Sequence, residues 1–168
     1  MVEDSISLTE VYKAYLEPAN YHVVAVDRLG TANASLAGFR PDIVLLDIEL
    51  PDGNGMDFLD ECMQLETPPK VIVMTAHGTS NLAVEAIERG AFDFLTKPFD
   101  AARLRVTMDN AVKQLGLDRQ AGELARLQRD RFGSFIGSSL AMQSVYKTID
   151  ALAGSDATGF IVGESGTG

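Results

Sequence analysis

The sequence predicts an α/β protein: a doubly wound, five-stranded parallel sheet whose first strand is shortened, with a long helix extending from its carboxyl end. Three observations carry this expectation. Short apolar runs alternate with segments of helical spacing, the central runs are apolar throughout, and a polar residue stands where each run ends. Alternation of strand and helix favours a parallel sheet, and strands covered on both faces lose the in-and-out polarity of half-exposed ones.

The elements follow in order. Residues 7–19, "SLTEVYKAYLEPA", carry Leu8, Val11, Tyr12, Tyr15 and Leu16 at the spacing of one helical face, with Ser5 or Ser7 as cap and Pro18 as stop. "YHVVAVD" (21–27) is short and β-branched and reads as a strand, and "GTANASLAGF" reads as a short helix ending before Pro41. "DIVLLD" (42–47) and "KVIVMTA" (70–76) are the buried strands, separated by a helix in "GMDFLDECMQL". "NLAVEAIERG" is another helix with Gly90 as its stop, and "FDFLTKP" (92–98) is the last strand. From Asp100 to about Asp130 no proline occurs, so Leu104, Met108, Ala111 and Leu115 form a helical face against the sheet, and Leu117, Ala121, Leu124 and Gln128 continue on a shifted face. That second face suits pairing with another copy of the chain.

Composition narrows the function. Of 168 residues, 24 are acidic and 14 basic, a formal charge of −10 that opposes phosphate backbones and anionic membranes. Cys62 is the only cysteine, which excludes an intrachain disulfide or a cysteine-rich zinc site and fits a small helix residue in a reducing compartment. No apolar run approaches the ~20 residues that span a bilayer, and no signal segment opens the chain, so it reads as soluble and cytoplasmic.

In doubly wound sheets polar chemistry gathers at the carboxyl ends of the strands. Asp47, Thr75 and Lys97 each end a strand, and Glu3-Asp4 follow Met1-Val2, where a first strand finishes. One rim would then hold three carboxylates, a hydroxyl and an ammonium. Clustered carboxylates repel one another unless a cation neutralises them, and a hard divalent ion such as Mg²⁺ fits oxygen donors. A carboxylate beside such an ion and a lysine is placed to attack a phosphoryl group and become an acyl phosphate. Taken singly, each residue has an ordinary structural reading; together, at these strand ends, they point to phosphoryl chemistry. Two other readings stay open: an aspartyl-phosphate phosphatase, although Asp47-Ile48-Glu49 lacks the second Asp of its Asp-x-Asp motif, and a dimerisation module with vestigial carboxylates.

"VEDS" (2–5), "DIVLLDIELPDGNGMDFL", "VIVMTAHG" (71–78) and "GAFDFLTKPF" (90–99) together resemble the receiver domains of two-component response regulators. The resemblance implies the strand order 2-1-3-4-5 and Asp47 as phospho-acceptor. It implies that Glu3 and Asp4 help hold Mg²⁺, with Asp4 the direct ligand, and that the Glu49 backbone carbonyl completes the site. Thr75 and Lys97 would sense the phosphate, Phe94 would be the switch aromatic, and a cis bond would precede Pro98. A histidine kinase or histidine phosphotransfer protein would supply the phosphoryl group.

"FIGSS", "AMQSVY" and the final "GESGTG" resemble the opening of the AAA+ ATPase domain of sigma-54-dependent activators of the nitrogen-regulator class. The implied plan is a receiver domain over 1–115, a linker helix over 116–131, and the start of the ATPase domain over 132–168. Here a helix spans about Leu140 to Ala153, and a strand at Phe160-Ile161-Val162 leads to Gly163, Glu164, Ser165, Gly166, Thr167 and Gly168 of a phosphate loop. In that family Phe135, Ile136 and Gly137 lie against adenine. The loop stops before its lysine, so the chain as it stands is expected to be no ATPase. ATP, sigma-54 RNA polymerase and DNA are expected only for a longer parent protein.

Overall fold

The computed structural model describes residues 1–153 other than 20, 37, 77–79, 130, 133–134 and 137–138. The chain divides into two compact units, Met1–Gly116 and a second that begins at Leu117.

In the first unit, three strands form a parallel sheet in the order β1 (Ile43–Asp47), β4 (Lys70–Thr75), β5 (Asp93–Thr96). A small antiparallel hairpin, β2 (Glu49–Leu50) with β3 (Gly53–Asn54), follows β1 directly. The helices are α1 (Ile6–Leu16), α2 (Leu29–Leu36), α3 (Gly55–Met63), α4 (Ser80–Glu88) and α5 (Ala101–Arg129). A 3₁₀ turn over Glu17–Ala19 closes α1 around Pro18.

The two remaining positions of the expected five-stranded sheet are bridges rather than strands. Val2 pairs in parallel with both Val26 and Leu46. Its N–H donates to the Leu45 carbonyl at 2.8 Å and its carbonyl accepts from Asp47 N–H at 3.0 Å, while Val26 N–H reaches Met1 O and Glu3 N–H reaches Val26 O, both at 3.0 Å. The bridged order, Val26, Val2, β1, β4, β5, follows 2-1-3-4-5. The expected strand over 21–27 is corrected to this single bridge. The neighbouring Met1–Glu3 segment pairs with it through Val26, and the Met1 amino group donates to the Val24 carbonyl at 2.7 Å, so β-branched letters alone do not make a ladder there.

Alternation along β1 and β4 sends side chains to two cores. Val44, Leu46, Val71 and Val73 pack with Ala32, Met56, Leu59, Cys62 and Ala86 of α2, α3 and α4. Leu45, Ile72 and Met74 pack with Leu95, with Tyr12 and Leu16 of α1, and with Leu104, Met108 and Ala111 of α5. Helices thus cover both faces, which explains the unbroken apolar runs. Each fully buried large aliphatic chain contributes about 1.5–3 kcal/mol. Two expectations shift here. Val11 is 41% exposed although it sits at helical spacing, and Thr107, unremarked in the sequence, is fully buried. The Thr107 hydroxyl donates to Asp93 Oδ2 at 3.2 Å, which is how a polar group is tolerated there. Ser5 rather than Ser7 caps α1, its Oγ accepting from Leu8 N–H at 3.4 Å.

In the second unit, α5 runs on from Leu117 through Gly122 to Arg129, followed by a hairpin of β6 (Arg131–Phe132) and β7 (Phe135–Ile136) and by α6 (Leu140–Ala153). The helix expected over 140–153 is present with those bounds. Gly137, the strand expected at 160–162 and the phosphate-loop residues 163–168 lie outside the described residues.

Candidate functional site

β1 ends on Asp47 because its register with β4 ends there, opposite Met74, and the next residue, Ile48, donates its N–H to Met74 O at 3.2 Å. Thr75 ends β4 beside Thr96 of β5, and its carbonyl accepts Lys97 N–H at 2.8 Å. The Lys97-Pro98 peptide bond is cis. On the other side of β1, the Val2 bridge delivers Glu3 to the same rim.

Lys97 bridges the two buried carboxylates. Its Nζ donates to Glu3 Oε2 at 2.5 Å and to Asp47 Oδ2 at 2.6 Å. The three side chains are 12%, 1% and 9% exposed, so this network is shielded from solvent and little screened. Asp47 Oδ1 accepts the Glu49 N–H at 3.2 Å, and Glu3 Oε1 accepts the Ser5 N–H at 3.3 Å. Asp4 is exposed, yet one oxygen from each of Glu3, Asp4 and Asp47 falls within 4.8 Å of the others. Three carboxylates face one ammonium, a surplus of negative charge suited to a further cation.

Burial is the strongest influence on Glu3 and holds its carboxyl above the ordinary 4.5, against the pull of Lys97 and with a smaller push from Asp47. For Lys97 burial acts downward, but the hydrogen bonds and charges of Asp47 and Glu3 outweigh it and leave the ammonium above 10.5. The lysine is therefore held firmly as a cation between its partners.

The sequence-derived residues separate here. Glu3, Asp47 and Lys97 are in direct contact, Asp4 joins them through its carboxylate oxygen, and Thr75 is buried at the adjoining strand end, 2% exposed. Glu49 stands at the hairpin root with an exposed side chain and its backbone beside Asp47. Phe94, opposite Val73, is half-buried against the first core and also lines an open groove of about 390 Å³ with Thr96, Pro98, Phe99, Asp100 and Arg103. Sequence reasoning missed two supports. Tyr12 of α1 stacks on Phe99 at 4.6 Å, bracing the segment just after Lys97, and Asp52 reaches out of the hairpin to α2. An aromatic at a helix position gives no sign of its partner in sequence, and an Asp after a Pro reads only as a turn residue.

The family model described as "Response regulator receiver domain" matches residues 1–109. The regulatory protein LuxO of Vibrio cholerae serotype O1 is 43% identical over 171 residues, covering all of this chain and 36% of its own length. The chain thus spans about a third of the length of the curated relatives it matches. A crystal structure of the signal receiver domain of a LuxO repressor protein from Vibrio parahaemolyticus aligns with a TM-score of 0.68 at 38% identity, over 71% of this chain and 92% of that one. The solution structure of a beryllofluoride-activated NtrC4 receiver domain dimer aligns with a TM-score of 0.65 at 34% identity, over 68% of this chain and 94% of that one.

Proposed function

Because the chain belongs to the response regulator receiver domain family, we propose that it accepts a phosphoryl group on Asp47 in a two-component phosphorelay and so controls a sigma-54-dependent activator. The observation that carries this reading is the cluster itself: Glu3, Asp4 and Asp47 present oxygens within 4.8 Å of one another, and Lys97 contacts two of them.

The donor set fits a hard divalent ion, since all its side-chain atoms are carboxylate oxygens, on two buried residues and one exposed one. Glu3, Asp4, Asp47 and the Glu49 carbonyl would hold Mg²⁺, with Asp4, the exposed member, nearest to solvent. When bound, the ion supplies charge neutralisation for the transferring oxygens. The rest is done by the chain. Glu49 N–H keeps Asp47 Oδ1 oriented, and Lys97 Nζ holds Asp47 Oδ2. A carboxylate oxygen of Asp47 forms a bond to phosphorus while the bond from phosphorus to the donor atom breaks, and the donor atom leaves with the electron pair. Lys97 then turns its ammonium from the carboxylate to the new phosphate oxygens, and Thr75 donates to them. The result is an acyl phosphate with a charge of roughly −2 at the rim in place of the single charge of the carboxylate. Phe94, beside the open groove, would report that change to the face made by α4, β5 and α5, a shift between two arrangements.

The donor is proposed to be a histidine kinase or histidine phosphotransfer protein. A homodimer through α5 and the linker is proposed with it, supported by exposed Leu117 and Leu124, at 59% and 61%. The plan of receiver (1–115), linker (116–131) and ATPase start (132–168), with ATP, sigma-54 RNA polymerase and DNA met only by a longer parent, belongs to the same reading. So does a cytoplasmic location. Among the described residues no helix is long and apolar enough to cross a membrane.

The test is intact mass after incubation with Mg²⁺ and acetyl phosphate, where a labile gain of about 80 Da is expected for one phosphoryl group. The gain should vanish in Asp47→Ala and without Mg²⁺. Equal labelling of Asp47→Ala would sink the assignment. Sedimentation that finds only monomer at high micromolar concentration would remove the dimer.

A further inference from the structure

We infer that Asp52 is a positioning residue for the cation site, although it lies outside the rim, at the tip of the hairpin. The inference rests on the reading above that the rim holds Mg²⁺. The hairpin carrying the Glu49 backbone has two residue pairs, Glu49 with Asn54 and Leu50 with Gly53. A ribbon so short has little stability of its own. It is anchored at its root, where Glu49 N–H meets Asp47 Oδ1 at 3.2 Å and Gly55 N–H meets Ile48 O at 2.8 Å.

The tip is anchored by Asp52. Its Oδ1 accepts Leu29 N–H at 3.0 Å and its Oδ2 accepts Gly30 N–H at 2.9 Å, the first two residues of α2. Those amides have no partner within the helix, and a carboxylate at a helix amino terminus also meets the positive end of the dipole. α2 therefore takes its cap from a residue more than twenty positions away in the chain, and the hairpin takes its tether from α2. The segment leading into α2 contains Val26, which receives Glu3 N–H on its carbonyl at 3.0 Å. One exposed carboxylate thus ties the loop on one side of the cation site to the segment on the other. Its two amide bonds hold its own carboxyl below the ordinary 3.8.

The test compares wild type, Asp52→Ala and Asp52→Asn by Mg²⁺ calorimetry and by acetyl phosphate labelling against Mg²⁺ concentration. Removing an outer partner of a metal ligand commonly weakens metal binding about tenfold, and a tether one step further out is expected to raise the half-saturating Mg²⁺ about threefold to tenfold. Labelling at saturating Mg²⁺ should return to the wild-type extent. Asp52→Asn, which keeps one acceptor oxygen, should fall between the two. An unchanged half-saturation in Asp52→Ala, even with a lower melting temperature, would reduce Asp52 to a helix cap and overturn the inference. If Asp52→Ala does not fold, Asp52→Asn decides on the same criterion. A wild type that binds no Mg²⁺ would instead sink the underlying cation reading, and this inference with it.

Discussion

Gly55→Ala sets two physical effects against each other at the first residue of α3. Helix propensity favours alanine by about 0.8–1 kcal/mol in a helix interior, and less at an end. Space opposes it: a Cβ at Gly55 would stand 2.2 Å from Asp47 O, 2.9 Å from Ile48 Cα and 3.1 Å from Asp47 C. All three are backbone atoms, so no rotamer change relieves the clash. The start of α3 would have to retreat by about 1 Å to restore ordinary contact distances. That retreat stretches the Gly55 N–H bond to Ile48 O and disturbs the cap in which Asn54 Oδ1 accepts Met56 N–H at 2.9 Å. Overpacking costs about 1–3 kcal/mol, a weakened hydrogen bond about 0.5–1.5 and a weakened cap about 1, so a net loss of about 2–4 kcal/mol is expected after the propensity gain. Because the displaced atoms include the Asp47 peptide, labelling by acetyl phosphate should drop as well. Urea unfolding followed by far-ultraviolet circular dichroism measures the first effect and intact mass the second. A Gly55→Ala protein as stable as wild type would refute the reasoning, since it would mean that the close approach of α3 to β1 is not needed.

Gly116→Ala and Gly122→Ala should do the reverse, each stabilising α5 by up to about 1 kcal/mol, because a Cβ there meets nothing within 4 Å; helicity by circular dichroism checks it. Lys97→Met leaves Glu3 and Asp47 buried without their shared cation, so a loss of about 3–5 kcal/mol is expected at pH 7, partly restored by Mg²⁺ in a thermal melt. A melt unaffected by the substitution would count against the network. Cys62 is fully buried, and desolvation first, with Glu61 second, lifts its thiol from 9.0 to about 11. Since the folded state holds this proton more tightly, its contribution is complete below pH 9 and is lost as pH rises through about 11. Iodoacetamide at pH 8 should therefore label Cys62 only after unfolding, and rapid labelling of the native protein would show the helix α3 packing to be wrong.

The residues of the rim were legible before any coordinates because strand ends are legible. Unbroken apolar runs announce parallel strands covered on both sides, and a polar residue at the end of such a run has only the rim to occupy. Asp47, Thr75 and Lys97 are placed in that way, α4 by its stop residue Gly90 and α5 by helical spacing. The sequence could not say that 21–27 would keep only one bridge, since a strand is made by its neighbour. Nor did it say which of the acidic pair would be buried: Glu3 is the buried partner of Lys97 and Asp4 the exposed one.

By itself, then, the sequence determined the period and order of the elements and the chemical types at the strand ends, because those depend on local spacing and on apolar surface that must be buried. Only the tertiary structure decided the contacts between residues far apart in the chain: Lys97 on Glu3 and Asp47, Tyr12 on Phe99, Asp52 on the amides of α2, and the backbone of Asp47 against Gly55. Such contacts depend on the packing of whole layers. A lysine carries no mark of which carboxylates it will meet, and a glycine no mark of what its missing Cβ lets approach.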